Sequence, residues 1–179
     1  MSDINIIYCK KLDKSNAKQE DFAKLPPENY SLKIWTPSIF KVVPNGLPFR
    51  IFVGWWIFYF PRLLRDFSYI VLIVYYNDKA VHYTAITSKS WKFPFMKSDD
   101  IQIGPSWTDV EHRRKGIGSY VIQKILEIKG KDGTKFWWVA REENMISRRF
   151  IRKAGFSEYG NATRKEKFGI GYFECNPLR

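Results

Sequence analysis

The sequence lacks the residues from which disulfide scaffolds and metal sites are built. Cysteine occurs only at Cys9 and Cys175, near opposite ends of the 179 residues, and histidine occurs only twice. Zinc sites require closely spaced cysteines or histidines, and disulfide scaffolds require several cysteines in a short chain. We therefore expect no metal and a reducing, cytoplasmic environment.

Long apolar runs are also missing. The most apolar stretch, 51–60, is about half as long as the roughly 20 residues of a membrane-spanning helix. The first residues include an early acid and no small-residue cleavage site, so no export signal is expected. Residues 48–65 are interpreted as a buried or substrate-lining helix. Peripheral contact of 51–60 with a membrane is the alternative, because Trp and Tyr beside Arg are typical of interfacial helices.

Positive charge and apolar residues, by contrast, are abundant. The chain has 30 Lys and Arg against 18 Asp and Glu, a net charge of +12. Such an excess attracts phosphorylated ligands, nucleic acids or anionic lipid surfaces, and it does not choose among them. The apolar fraction of 45% is enough for a packed core, and the length fits a single domain over 1–179. We therefore expect one site with affinity for anions.

Hydrophobic periodicity and turn residues predict a mixed order of strands and helices. Segments 68–76 and 79–87 form a predicted hairpin around Asn77-Asp78, and Gly104-Pro105 suits a bulge within a strand at 101–109. This order favours an α+β or α/β fold, in which helices cover a sheet. The remaining predictions are strands at 30–35, 135–141 and 167–175, helices at 116–128 and 144–154, and a short helix or loop across 10–29.

The segment 111–119, with the sequence EHRRKGIGS, lies between a predicted strand and a predicted helix. Gly116 and Gly118 free the backbone N–H groups to turn inward beside a helix N-terminus, which makes a cradle for an anion. The segment lacks the Gly-Lys-Ser/Thr of a nucleoside-triphosphate loop, and its glycine spacing is not the dinucleotide fingerprint. A different kind of pyrophosphate-binding loop is indicated.

Two motifs carry a resemblance to a known superfamily. Arg113–Gly118 resembles the Arg/Gln-x-x-Gly-x-Gly/Ala loop of the GNAT acetyltransferases, at the expected junction of strand and helix. Downstream, Asn144 and Ser147 resemble the family's Asn-x-x-Ala/Ser helix, and Ala154-Gly155-Phe156 resembles its Ala/Leu-Gly-Phe ending. The resemblance covers residues 68–175, and the first 67 residues match nothing specific.

The resemblance implies a mixed, mostly antiparallel central sheet with a splayed strand pair, flanked by helices. Residues 68–175 then form the cofactor-binding core, and 1–67 supply the elements on the acceptor side. The implied co-substrate is acetyl-CoA or another acyl-CoA, with no metal. The residues expected to bind it are Trp107, Thr108, Val110, Arg113, Arg114, Lys115, Gly116, Ile117, Gly118, Ser119 and Asn144.

The implied reaction is direct attack of an amine on the thioester in a ternary complex. The acceptor ammonium must first lose a proton, so a base is expected near the site. The candidates are His82, whose ordinary pKa of about 6.5 suits a base, and the acids Asp109 and Glu111. His82 is equally well interpreted as a structural histidine, and the two acids as solvated partners of nearby arginines. Asp99 and Asp100 are also candidates for the base, and their alternative interpretation is a polar turn.

The sequence departs from the family at one catalytic position. Many GNAT proteins have a tyrosine just after the position of Phe150, where it protonates the leaving thiolate, but this chain has Ile151. A tyrosine acid at that place is excluded. Because a thiol has a pKa of about 8.5, the thiolate can leave with little help from an acid.

Composition guides the choice of acceptor. A surplus of Lys and Arg suits a nucleotide diphosphate, and aromatic platforms suit a stacked sugar or base. The chain also loosely resembles GNAT proteins of bacterial surface-polysaccharide assembly, which favours a nucleotide-linked amino sugar. The aromatic residues concerned are Trp35, Trp55, Trp56, Tyr59 and Trp91.

Two other interpretations remain open. In the first, the protein is still an acyltransferase, and the acceptor is a protein or a small amine. In the second, the chain is a non-catalytic basic module that binds nucleic acid or an anionic membrane. The preferred interpretation involves no nucleic acid and is compatible with a monomer or a homodimer. The second alternative depends on a basic helix face formed by Arg148, Arg149, Arg152 and Lys153.

Overall fold

The structure is a computed structural model that describes residues 4–13, 29–37, 43–44, 46–48, 52, 69–167 and 170–178. The predicted helix at 48–65 lies almost entirely outside the described residues, as does most of the predicted helix or loop across 10–29. Within the latter, Lys10 and Lys11 end a strand, which corrects that part of the prediction.

The described residues form eight strands, two helices and a short 3₁₀ turn. The helices are α1, Ile117–Lys129, and α2, Met145–Lys153, and the turn is Val110–His112. The strands are β1 Ile4–Lys11, β2 Tyr30–Trp35, β3 Tyr69–Tyr76, β4 Lys79–Ser88, β5 Ile101–Thr108, β6 Lys135–Arg141, β7 Ser157–Lys167 and β8 Ile170–Pro177.

The strands follow the order β2-β3-β4-β5-β6-β1-β7-β8 in one sheet. Five of the pairings, β2–β3, β3–β4, β1–β6, β1–β7 and β7–β8, are antiparallel, and β5–β6 is parallel. The predicted mixed, mostly antiparallel sheet with flanking helices is thus confirmed. The chain divides into two compact units. The first unit comprises Met1–Ala17, Ser88–Gly104 and Lys129–Arg179, and the second comprises Lys18–Thr87 and Pro105–Ile128.

The hairpin of the second unit forms where the sequence predicts it. Asn77 and Asp78 join β3 to β4 with positive φ values of 46° and 61°, the conformation of a two-residue turn that matches the twist of paired strands. β-branched and aromatic residues fill both strands, and almost every residue of β4 is buried. Val71, Ile73 and Ala85 lie in an apolar cluster that also includes Phe52. This hairpin holds His82 inside the unit.

The first unit has its own apolar core and a buried acid. Ile7, Phe93 and Trp137 belong to this core. The carboxylate of Asp100 accepts hydrogen bonds from Lys97 N and from Trp137 Nε1, each at 2.8 Å. Asp100 is therefore a buried structural residue, because both donors satisfy a charge that burial would otherwise penalise. The predicted polar turn is present, since Asp100 N donates to Lys97 O at 3.2 Å, and Asp100 closes it from a buried position.

The sequence did not indicate β1 or β7. β7 has the polar sequence SEYGNATRKEK and keeps most of its side chains exposed, so no apolar alternation marks it. It becomes a strand because it pairs on one side with β1 and on the other with β8. Pairing with β8, which follows it, and with β1, near the other end of the chain, decides its conformation.

Gly160 of β7 tests this pairing, because it faces both Ile7 and Pro177. A Cβ at Gly160 would overlap Asn176 O and would lie 2.8 Å from Pro177 Cα, both backbone atoms that cannot rotate away. We expect Gly160→Ala to lower the free energy of unfolding by about 1–3 kcal/mol in urea titrations. Gly171→Ala is the matched control, since its Cβ would meet only the flexible guanidinium of Arg164 at 3.2 Å. Equal urea midpoints for the two variants would contradict the close approach of β7 and β8.

Candidate functional site

The strand that leads to the candidate site, β5, has an unusual backbone conformation at Gly104. β5 pairs with β6 in parallel through Ile101–Ile103 and Phe136–Trp138. Gly104 follows with a φ of 115°, which an L side chain rarely adopts, and the space for a Cβ is otherwise adequate. The predicted irregularity at Gly104-Pro105 is present in the described backbone. Residues 105–108 then continue β5 in the second unit.

The end of β5 is fixed to the following turn by short hydrogen bonds. Asp109 N donates to Val81 O of β4 at 2.8 Å, and the Asp109 carboxylate accepts from Glu111 N at 3.1 Å. Arg113 Nε donates to Thr108 O at 3.1 Å. These bonds hold the start of the 113–118 loop at a defined place beside β5.

The loop has the backbone geometry of an anion cradle. Arg114 and Gly116 have positive φ values of 61° and 78°, and alternation of left- and right-handed residues turns successive N–H groups to one side. Gly116 O accepts from Tyr120 N at 3.0 Å, so α1 begins directly after it. The first four N–H groups of a helix have no partner within it, and the helix dipole adds partial positive charge. Arg113–Gly116 are exposed, while Ile117 is buried and anchors the helix.

His112, the residue just before the loop, is held in place by two tyrosines, and the sequence did not indicate this role. Its Nδ1 lies 2.8 Å from the hydroxyl of Tyr30 on β2, and its ring packs 5.0 Å from the ring of Tyr76 on β3. The side chain is buried even though its neighbours Glu111 and Arg113 are exposed. The local sequence gave no signal, because a histidine between an acid and two arginines resembles a solvated turn residue.

We expect Tyr30→Phe to weaken the support of the loop. Removal of the hydroxyl leaves Nδ1 of the buried His112 without this partner, at a cost of about 1–3 kcal/mol in the free energy of unfolding. The same change should weaken binding of CoA by calorimetry, because the loop starts one residue after His112. Tyr76→Phe is the control, as Tyr76 contacts the imidazole through its ring. A Tyr30→Phe variant with the unfolding energy and CoA affinity of Tyr76→Phe would contradict this role.

His82 lies between hydroxyl groups in the interior of the second unit. Its Nδ1 is 2.7 Å from Thr108 Oγ1 and its Nε2 is 2.9 Å from Thr84 Oγ1. Thr84 Oγ1 is in turn 2.8 Å from Ser106 Oγ. Burial lowers the pKa of His82 to about 4, so the ring is neutral at pH 7. The role of His82 as the base that contacts the acceptor stays a prediction.

The two acidic candidates for the base, Asp109 and Glu111, lie at the 3₁₀ turn, where Asp109 caps its first residues. The hydrogen bond from Glu111 N lowers the pKa of Asp109, and Lys79, whose Nζ lies 3.6 Å from Asp109 Oδ2, acts in the same direction. Asp109 is therefore a weaker base than an ordinary aspartate. Glu111 has an exposed side chain. Their catalytic roles stay predictions.

Two further predicted contacts of the cofactor flank Thr108. Trp107 stacks on Tyr83 with ring centroids 6.0 Å apart, and it remains 38% exposed. Val110 is 71% exposed at the start of the 3₁₀ turn. With His82, Thr108 and the 113–119 segment, these residues belong to the second unit.

Asn144 belongs to the first unit, where it caps α2. Its Oδ1 accepts from Ser147 N at 3.1 Å, which satisfies one of the free amides at the helix N-terminus. Ile151, which stands where the family often has tyrosine, is fully buried. The exposed Asn144 side chain marks a second helix N-terminus, and its contact with a cofactor stays a prediction.

The basic face of α2 is partly neutralised by ion pairs. Arg152 Nη2 donates to Glu158 Oε2 at 2.7 Å, and Arg148 Nη2 lies 3.7 Å from the same oxygen. Arg148 also donates to the Tyr8 hydroxyl at 3.0 Å and to Glu142 O at 3.1 Å. Arg148 therefore braces α2 against the sheet of its unit and offers little free charge to a polyanion.

The part of the chain that the structure describes lacks two features of other protein classes. No group of three or more His, Cys, Asp or Glu side chains within those residues is placed to hold a metal ion. None of the helices described is both long enough and apolar enough to cross a membrane.

The described residues combine a mixed sheet flanked by helices with an exposed cationic loop where β5 gives way to α1. The sequence pattern of the GNAT acetyltransferase family matches residues 33–156. That match spans more than half of the chain, so the protein belongs to the GNAT family, as its two motifs predicted. No curated protein matches the chain.

Solved structures show the same fold at low sequence identity. A tandem GNAT protein from the clavulanic acid biosynthesis pathway, solved without acetyl-CoA, has 16% identity and a TM-score of 0.61, and the match covers 89% of this chain and 52% of that one. A conserved protein of unknown function from Staphylococcus epidermidis has 15% identity and a TM-score of 0.56, with 88% and 58% covered. A GNAT acetyltransferase from Colwellia psychrerythraea has 10% identity and a TM-score of 0.53, with 87% and 52% covered. The chain spans about half the length of these structures.

Proposed function

We propose that the protein is an acyl-CoA-dependent N-acyltransferase that transfers an acetyl or other short acyl group to a primary amine. The observation that carries the proposal is the exposed loop before α1, with its two left-handed residues and three cationic side chains. Membership of the GNAT family supports the same chemistry. We also propose that residues 1–179 form a single acyltransferase domain and that the protein acts in the cytoplasm.

The loop supplies what a pyrophosphate requires. The amides of Gly116, Ile117, Gly118 and Ser119 occupy the turn and the first residues of α1, where backbone N–H groups and the helix dipole attract an anion. Arg113, Arg114 and Lys115 add positive charge around that cradle. When bound, an acyl-CoA supplies an activated acyl group as its thioester. The backbone of Trp107 and Thr108 at the end of β5 is proposed to hold the pantetheine arm, with Val110 beside it and Asn144 as a further contact.

The protein has two parts in the reaction. It places the amine against the thioester, and it removes one proton from the ammonium. Bringing an amine to a fixed thioester makes a bimolecular step effectively unimolecular, which lowers the barrier by about 7–11 kcal/mol in favourable cases. A backbone N–H directed at the carbonyl oxygen stabilises the negative charge that develops there. Ile151 is apolar and buried, so a proton for the leaving thiolate comes from water or from another group.

A nucleotide-linked amino sugar is the proposed acceptor class. The net charge of +12 favours a diphosphate-bearing acceptor, and Trp107, which stacks on Tyr83 and remains 38% exposed, has ring surface open to a stacked sugar or base. Trp91 is 42% exposed. Trp35 is less available, because it packs edge-on against Phe52 and Tyr69. The other predicted platforms, Trp55, Trp56 and Tyr59, lie outside the described residues, as does the proposed membrane contact through 51–60.

A thiol-release screen tests the acceptor. Acetyl-CoA and the purified chain are incubated with nucleotide-linked amino sugars, polyamines and peptides, and free CoA is measured. We expect the fastest release with a nucleotide-linked amino sugar and no change on addition of DNA. Faster release with a peptide or a polyamine would favour the protein or small-amine alternative. A basic binding module would instead show tight, salt-sensitive binding of DNA or anionic vesicles and no thiol release.

A further inference from the structure

We propose that Ser106, Thr84, His82 and Thr108 form a proton relay that removes the proton from the acceptor ammonium, with Ser106 as the residue that accepts it. This inference rests on the proposed function. It assigns His82 an interior position in the relay and gives the contact with the acceptor to a serine that sequence reasoning did not single out.

The relay is continuous and crosses the interior of the second unit. The three successive distances, from Ser106 to Thr84, from Thr84 to His82 and from His82 to Thr108, are 2.8, 2.9 and 2.7 Å. All are within the range of good hydrogen bonds. The two central side chains, Thr84 and His82, are each 1% exposed, whereas Ser106 is exposed and Thr108 is half-buried. The chain of bonds is therefore closed to water in its middle and open at both ends.

Each group in the relay can both accept a proton and donate one, so the relay can transfer a proton and then return to its starting state. A hydroxyl donates one hydrogen bond and accepts others, and a neutral imidazole donates from one nitrogen and accepts at the other. Since burial keeps His82 neutral at pH 7, both functions are available to it at once. A charged imidazole would donate from both nitrogens and would interrupt the relay.

One passage of the relay conserves atoms and charge. The ammonium gives a proton to Ser106 Oγ, whose own proton passes to Thr84 Oγ1, and the Thr84 proton passes to His82 Nε2. His82 Nδ1 releases its proton to Thr108 Oγ1, and the Thr108 proton passes to water. The products are a free amine and a hydrated proton, and His82 is left in its other neutral tautomer. Rotation of the hydroxyl groups and reverse exchange with water restore the starting state.

Ser106 is assigned to the acceptor end because of its place on β5. The loop that is proposed to hold the pyrophosphate begins at Arg113, and Arg113 is bonded to Thr108 O. An acyl-CoA with its pyrophosphate in the loop and its pantetheine arm along β5 would bring its reacting end toward Ser106. Thr108, beside the loop, is left as the outlet to solvent.

The experiment compares two amine probes that differ in their need for a base. Methylamine is an ammonium ion at pH 7.5 and must lose a proton, whereas hydroxylamine is already a free base. Thiol release from acetyl-CoA is measured with each, for the full chain and for Ser106→Ala, with Ser106→Thr as the variant that keeps the hydroxyl. We expect Ser106→Ala to lower the ratio of kcat for methylamine to kcat for hydroxylamine about 100-fold, the size of a general base contribution. Ser106→Thr should recover most of that ratio.

Three results would overturn the relay. The first is a normal ratio in Ser106→Ala, while the unchanged chain binds acetyl-CoA and acetylates both probes, which would leave the proposed function intact. The second is a ¹⁵N NMR spectrum in which the His82 ring is charged at pH 7. The third is an unchanged chain that neither binds acetyl-CoA by calorimetry nor releases thiol. That result would mean that the proposed function has failed, and the relay with it.

Discussion

Gly118→Asp is expected to weaken acetyl-CoA binding about 200-fold. Gly118 is the second residue of α1, in the turn whose amides are proposed to face the pyrophosphate. A carboxylate roughly 5 Å from one phosphate charge is repelled by about 3 kcal/mol at the effective dielectric of a protein surface. That energy corresponds to the stated loss of affinity. Calorimetric titration of the variant with acetyl-CoA measures it.

The controls for this variant separate charge from size and from folding. Gly118→Asn has nearly the shape of Gly118→Asp without the negative charge, so it should bind acetyl-CoA more tightly than the aspartate variant. The fold should persist in both, because Asp and Asn side chains can each accept from the free N–H groups of a first helical turn, and the aspartate also interacts favourably with the helix dipole. Equal affinity of the aspartate variant and the unchanged chain, with the fold intact, would show that the pyrophosphate binds elsewhere.

The second large effect is a loss of stability in acid that originates at His82. Burial lowers the pKa of His82 from 6.5 to about 4, so the unfolded chain binds a proton at a higher pH than the folded chain does. The stability from this group is complete above pH 6.5, and it declines as the pH falls toward 4. Over that window the loss is about 3 kcal/mol in the free energy of unfolding.

Urea titrations at several pH values measure this effect. The unchanged chain is compared with His82→Gln, which keeps a hydrogen-bonding side chain and cannot titrate. From pH 7 to pH 4, we expect the unfolding free energy of the unchanged chain to fall relative to that of His82→Gln. Only the unchanged chain has the buried histidine that takes up a proton on unfolding. Carboxylates with lowered pKa values, such as Asp109, titrate in both proteins and cancel in the comparison. Parallel pH profiles would show that His82 titrates normally in the fold.

Local sequence predicted those elements that carry a local signal. The 79–87 strand follows from Asn77-Asp78 and its β-branched neighbours, and β4 runs over Lys79–Ser88. Helix α1 starts one residue after its predicted first residue, because Gly116 ends the loop and an apolar face follows. The strand at 135–141 has the predicted bounds. Turn chemistry and periodicity were sufficient in these cases.

The remainder depended on contacts between distant residues. β1 and β7 are strands because of their partners, and β7 is nearly all polar. The loop at 113–118 could be predicted from its glycine spacing, which reflects a backbone requirement at those positions. The hydroxyl partners of His82 could not be predicted, because they depend on the register of β4 against β5. His112 and Tyr30 are brought together across 82 residues of chain, which no local pattern encodes.

Calorimetric titration of the purified chain with acetyl-CoA tests the central claim most directly. We expect saturable binding with one site per chain and a dissociation constant in the micromolar range, about 8 kcal/mol of binding free energy. Binding should persist in the presence of DNA and should weaken strongly in Gly118→Asp. Absence of saturable heat with a folded chain would show that the loop holds no cofactor pyrophosphate.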